Sequence, residues 1–193
     1  MLIVVTGLDG SGTSSVAKKL HEMDPGSYLL KTPSPEYADR KRMDEALHDE
    51  SPVAHMLYYL SSDIYISDYI KNHCDYKNHN VYLVRYLIDT VVSSRARGID
   101  VDLDYNLYGN QLLVPDLTIF VRLDEETRQR RLQERGKDCL DVVLDDFENR
   151  EKFLGEFSQL LDPKRTIYVT NNKALEEVCS ETFQKIKTDK SHL

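Results

Sequence analysis

The sequence predicts an α/β fold in which a parallel sheet of about five strands is flanked by helices. Three observations carry that expectation. Short apolar, β-branched runs recur along the chain, segments of helical length separate them, and a glycine-rich turn stands where the first run gives way to the first helical stretch.

Leu2 to Thr6 is a continuous apolar run that stops at Gly7, the pattern of a strand buried on both faces. Val16, Ala17, Leu20 and Met23 recur at helical spacing, which predicts a helix from about Ser14; Asp24, Pro25 and Gly26 end it. Tyr28 to Thr32 returns as a second strand. After the loop containing Pro33 and Pro35, helices are expected over about Glu36 to His48 and Pro52 to His73, the second rich in aromatic and aliphatic residues. Asn78 to Asn80 turns the chain into a strand from Val81 to Val84, and a helix follows Arg85. Asp116 and Leu117 open a strand ending near Leu123, Glu125 to Arg135 reads as a helix, Thr166 to Thr170 as the last strand, and about Lys173 to Lys187 as the closing helix. Right-handed crossovers put helices on both faces, so ligands bind beyond the carboxyl ends of the strands. That rim collects Gly7 to Ser14, Thr32 to Pro35, Arg85 and the loop after Arg135.

No Pro-, Gly- or Ser-rich stretch divides the chain, so one domain over residues 1–193 is expected. The 33 acidic residues exceed the 25 basic ones, for a net charge of -8, which argues against nucleic acid as a partner. No apolar run approaches the ~20 residues that span a bilayer, and Met1 leads directly into a strand. Cys74, Cys139 and Cys179 lack metal-ligand spacing and read as free thiols of a cytoplasmic protein. Asp100, Asp102 and Asp104 lack the rest of a calcium loop and read as solvated. Arg128 to Arg131 is expected to cover a helix surface, and the six histidines sit in no hydrolytic arrangement.

Chemistry concentrates in Gly7-Leu-Asp-Gly-Ser-Gly-Thr-Ser14. The segment matches G-x-x-x-x-G-K-[ST] at both glycines and at the hydroxyl, with Thr13 where lysine belongs. Gly7, Gly10 and Gly12 let the loop turn its amides inward, and the helix N-terminus adds partial positive charge. Ser11, Thr13, Ser14 and Ser15 join the glycines as candidate donor-phosphate ligands, and Ser14 is placed to coordinate Mg2+. The competing reading is a glycine-rich turn without a ligand. Thr13 can hydrogen-bond phosphate but cannot neutralise charge on a transferring group, so rate should suffer more than binding. Lys18 and Lys19 lie more than a turn along the helix and are not obvious substitutes.

With four features quoted, the chain resembles the thymidylate kinase family: the loop Gly-Leu-Asp-Gly-Ser-Gly, Arg85-Tyr86 after a strand, Pro115-Asp116-Leu117-Thr118 opening a strand that ends in Leu123-Asp124-Glu125, and Arg135-Gly136 beginning a lid-like stretch at about 135–147. The resemblance implies a three-layer P-loop kinase fold, transfer of the ATP γ-phosphoryl group with Mg2+ to a (deoxy)nucleoside monophosphate, and a homodimer built around Pro52 to His73. It further implies that Asp9 approaches the acceptor sugar, that Arg85 binds the acceptor phosphate, that Pro33 lies near the acceptor, and that Arg135 supplies lid charge. Arg95 and Arg97 are candidates for further acceptor contacts or for a solvated helix face. Several positions depart from the family pattern: Val84 replaces an aspartate, Ile64 stands where an arginine is common, Val142 where a lid arginine is, Leu60 lies near the position of a stacking phenylalanine, and Ser93 near that of a base-contacting tyrosine. Two other readings therefore stand beside the kinase: a nucleotide-binding protein with weak or lost transfer, and a kinase for a different nucleoside or small metabolite.

Overall fold

The computed structural model describes residues 1–37, 39–106, 112–137 and 139–190. Five strands, β1 (Leu2–Gly7), β2 (Tyr28–Lys31), β3 (Val81–Val84), β4 (Leu117–Arg122) and β5 (Thr166–Thr170), form one parallel sheet in the order β2-β3-β1-β4-β5. β1 lies in the middle, with Val4 opposite Leu83 on one side and Val5 opposite Ile119 on the other. Asp116 fixes the entry edge, because its carboxylate accepts from Leu2 N–H at 2.7 Å and its own N–H donates to the Leu2 carbonyl at 2.9 Å.

The helices are α1 (Thr13–Glu22), α2 (Arg40–Leu47), α3 (Pro52–His73), α4 (Leu87–Ala96), α5 (Glu125–Arg135), α6 (Cys139–Val143), α7 (Phe147–Leu160) and α8 (Leu175–Lys190). Because strand side chains alternate between faces, β1 divides its residues between two cores. Leu2 and Val4 join Ile66, Ile70, Val91 and Phe157 on the side covered by α3, α4 and α7. Ile3 and Val5 join Val16, Leu20, Val178 and Ile186 on the side of α1 and α8. Helices thus cover both faces and leave the carboxyl rim of the sheet open, which is the predicted three-layer arrangement. Among the described residues no helix is long and apolar enough to cross a membrane.

The predicted elements recur, with a later start for α2 and two unpredicted helices, α6 and α7. α2 begins at Arg40 and not at Glu36, because Tyr37 N–H closes a turn on the Ser34 carbonyl and the helix hydrogen bonds begin only with Met43 N–H to the Asp39 carbonyl. α7 is an addition: the Asp146 side chain caps it by accepting from Asn149 N–H at 2.9 Å, and Phe157 is its buried anchor. Cys74 is a free thiol in a half-buried position and Cys179 a buried one, whereas the side chain of Cys139 lies outside the described residues.

Candidate active site

The glycine loop is built almost wholly from backbone. Gly7 carries φ 150°, and a Cβ there would stand 2.3 Å from the Val121 carbonyl oxygen; at Gly12, φ 96°, a Cβ would stand 2.4 Å from Asn171 Nδ2. Neither position accepts a side chain, so β4, through Val121, and Asn171 beyond β5 close against the loop. Gly12 is the N-cap of α1 and offers no side-chain cap, and the first turn holds no acidic residue. The orphan amides of that turn remain available to an anion, and the hydroxyls of Ser14 and Ser15 are exposed beside them. Thr13 is buried, in the place of the lysine.

Behind the loop stands Arg128, which corrects the expectation of a helix surface. It is 1% exposed, donates from Nη1 to the Asp9 carbonyl at 3.1 Å and from Nη2 to the Leu144 carbonyl at 3.0 Å, and is neutralised by Glu125 at 2.7 Å. A buried guanidinium needs such partners, because an unpaired one would be costly. Arg131, from the next turn of α5, reaches Ser11 and Asn171 carbonyls at 3.5 Å. Asn171 Nδ2 also donates to the Ser11 carbonyl, at 2.8 Å. Charged residues at one helical spacing were thus recruited as loop supports, and no local pattern in the sequence distinguishes them from surface arginines.

Across the rim lies a pocket lined by Gly7, Leu8, Asp9, Thr32, Pro33 and Arg85, with α3, α4, α6 and α7 as its walls. Arg85 has left-handed backbone, φ 65°, a conformation that costs a non-glycine residue on the order of 1 kcal/mol. It turns the side chain from the end of β3 into the pocket. Nη1 donates to the Gly7 carbonyl at 2.7 Å and to Asp89 Oδ1 at 2.5 Å, and Nη2 donates to Asp9 Oδ1 at 2.7 Å. Burial works against the Arg85 charge, but the flanking Asp9 and Asp89 carboxylates outweigh it and hold its pKa above the ordinary arginine value. A guanidinium has five N–H donors. Among the described residues, Nε–H and one hydrogen on Nη2 have no protein partner.

The far end of the pocket holds a network that the sequence reading did not anticipate. Asp44, on α2, is 2% exposed and accepts from His55 Nε2 at 2.9 Å, Tyr59 O–H at 2.7 Å and Arg40 Nε at 3.1 Å. Burial alone would raise the Asp44 pKa, but these three donors lower it below the ordinary value. Arg97 Nη1 sits 3.1 Å from His55 Nδ1. Arginine can only donate, so Nδ1 is the acceptor and the ring proton lies on Nε2, facing Asp44. Arg97 also donates to the His48 carbonyl, so it braces the pocket wall from outside. Between the two ends, Asp63 on α3 is 1% exposed and accepts from Thr90 Oγ1 at 2.7 Å; burial raises its pKa well above the ordinary aspartate value. The spacing of His55 and Tyr59 along one helix was the only readable signal, because Asp44 and Arg97 come from other helices.

The remaining predicted residues lie elsewhere or are already engaged. Arg95 faces away from the pocket: Nε donates to the Val101 carbonyl at 2.6 Å, and its guanidinium pairs with Asp102 at 3.1 Å and Glu156 at 3.6 Å. Arg135 is half exposed and pairs with buried Asp141 at 2.6 Å, and Lys137 pairs with Asp145 at 2.7 Å. The lid-like stretch nevertheless reaches the site, because Val143 and Leu144 line the pocket. Ser93 also lines it, whereas Leu60 is buried in the α3 core and Ile64 packs against that core.

An anion-ready loop and an arginine-walled pocket on one rim define a P-loop phosphotransferase, a protein that grips a donor's phosphates with backbone and an acceptor with side chains. The comparisons narrow this. The family model for thymidylate kinase matches residues 5–182. The chain is 25% identical to a thymidylate kinase of Brachyspira hyodysenteriae over 98% of this chain and 94% of that one. It is 27% identical to a probable thymidylate kinase of Archaeoglobus fulgidus, covering 97% and 95% respectively. The solved thymidylate kinase of Candida albicans superposes with TM-score 0.75 at 24% identity, over 100% of this chain and 93% of that one, which shows the shared fold. This chain belongs to the thymidylate kinase family and is an ATP-dependent phosphotransferase of the nucleoside monophosphate kinase type.

Proposed function

We propose that the protein transfers the γ-phosphoryl group of ATP to a pyrimidine deoxynucleoside monophosphate, with dTMP the first acceptor to test. The carrying observation is the position of Arg85: one residue beyond β3, on the same rim as the glycine loop, with two donors unclaimed among the described residues. Those donors suit two phosphate oxygens. Asp9 links the two halves, since it belongs to the loop and its side chain bonds Arg85. The donor site fits ATP with Mg2+: uncapped amides at the start of α1 suit the phosphates, and the exposed Ser14 hydroxyl suits the metal. Bound there, Mg2+ supplies charge neutralisation between the phosphates. The chain's own residues position the reactants: the loop fixes the donor, Arg85 the acceptor phosphate, Asp9 the acceptor sugar, and Val143 and Leu144 exclude water above them. Arg135 adds lid charge on exchanging Asp141 for the donor.

Exposed Val53, Leu57 and Tyr69 on α3 support a homodimer through that helix. A purified sample given ATP, Mg2+ and each of the nucleoside monophosphates in turn tests the reaction. Formation of dTDP, followed by chromatography, is expected; no diphosphate from any acceptor would rule the reaction out and leave a binding protein.

A further inference from the structure

We infer that Asp89 is the positioning residue of the acceptor site, holding the Arg85 guanidinium in the orientation that leaves its unclaimed donors for an acceptor phosphate. The inference rests on the proposed role of Arg85. Three contacts converge on the Asp89 carboxylate. Oδ1 accepts from Arg85 Nη1 at 2.5 Å and from Thr6 Oγ1 at 2.6 Å, and Oδ2 accepts from Tyr86 N–H at 3.1 Å. Capping α4 requires only Oδ2. The two contacts of Oδ1 do nothing for the helix; they tie the end of β1 to the arginine.

The preceding residue cannot take this role. Val84 is 8% exposed and packs in the α1 and α8 core, so no carboxylate reaches Arg85 from there. Asp89 supplies it from the first turn of α4 instead. With Nη1 divided between Asp89 and the Gly7 carbonyl, the guanidinium plane is fixed against the end of β1, and Asp9 takes one hydrogen of Nη2. Take Asp89 away and the guanidinium is released to pair more fully with Asp9, which turns its remaining donors from the pocket. Loss of Asp89 is therefore a loss of acceptor binding, expressed through Arg85.

Four proteins test this: the natural chain, Arg85→Met, Asp89→Asn and the double variant, each assayed for acceptor KM, ATP KM, kcat and Tm. Asp89→Asn keeps an oxygen for the α4 cap but sets an amide N–H against the guanidinium. Each single variant is expected to raise acceptor KM about tenfold or more, the usual effect of losing a charge-assisted hydrogen bond, with ATP KM within about twofold. In the Arg85→Met background, Asp89→Asn should add nothing further. Additive losses in the double variant, or a fall in Tm with acceptor KM unchanged, would overturn the inference and leave Asp89 a helix cap. If Arg85→Met itself leaves acceptor KM unchanged, the role of Arg85 fails first and the inference falls with it. Should Asp89→Asn not fold, Asp89→Glu, which moves the carboxylate by one methylene, must still raise acceptor KM; an unchanged value there would equally overturn it.

Discussion

The two halves of the site are made of different material. On the proposed donor side the groups offered are main-chain amides, held by contiguous residues whose spacing is visible in the sequence. On the proposed acceptor side they are side chains from the end of β3, from α2 and α3 and from the end of α4, and each is held by a partner from another element. A backbone site tolerates drift everywhere except at its glycines. A side-chain site depends on pairs, and replacing one partner leaves the other buried without its bond. The glycine loop is recognisable in the sequence, whereas the network around Asp44 becomes visible only in the fold.

Glycine replacement should break the donor side most severely. With the Val121 carbonyl 2.3 Å from its would-be Cβ, Gly7→Ala is expected to lower kcat/KM for ATP by about a hundredfold or more, measured by steady-state kinetics. Near-normal ATP kinetics would show that the loop is more pliable than its packing implies. The converse change, Thr13→Lys, restores a cation to the loop and should raise kcat by about tenfold or more with little change in ATP KM. An unchanged kcat would mean that charge is supplied from elsewhere or that transfer is not the protein's task.

On the acceptor side Asp44→Asn should lower stability by about 2 kcal/mol, a Tm drop of roughly 4–8 °C, because three donors lose a shared acceptor. The Asp44 pKa is lowered in the fold, so its contribution is present above the unfolded value of 3.8 and is lost as pH falls through the folded value. The variant should therefore differ from the natural protein at pH 7 and converge with it in acid. Asp63 has the opposite sign. Its folded pKa is raised, so the fold holds a proton that the unfolded chain has released, and stability falls as pH rises above 3.8 toward the folded value. Asp63→Asn should therefore raise stability by about 1 kcal/mol at pH 7.5 and by little near pH 4, read from calorimetry at both. Equal effects at the two pH values would show that the carboxyl is ionised in the fold.

This contrast also explains what was legible beforehand. Strands such as Val81–Val84 and Thr166–Thr170 and the helix Pro52–His73 were visible because each satisfies a local pattern of burial. Arg85 stood out because a charged residue ends a fully buried strand. Asp89 and Arg128 were hidden for the same physical reason: whether a charge three or four residues from another faces solvent or a buried partner is decided by elements far away in sequence. The α7 helix went unread because its stretch mixes apolar and charged residues on a narrow buried face, and most of its packing partners lie on α4.

The central place of β1 governs how the protein can be made. β1 pairs with β3 and β4, so it has no neighbour until residue 84 is added, and its second edge stays open until residue 122. Until then Ile3, Val4 and Val5 form an apolar segment with exposed edges, the kind of surface through which nascent chains associate with one another. A chain ending before β4 is expected to be insoluble, and folding on the ribosome should become possible only once β4 has emerged.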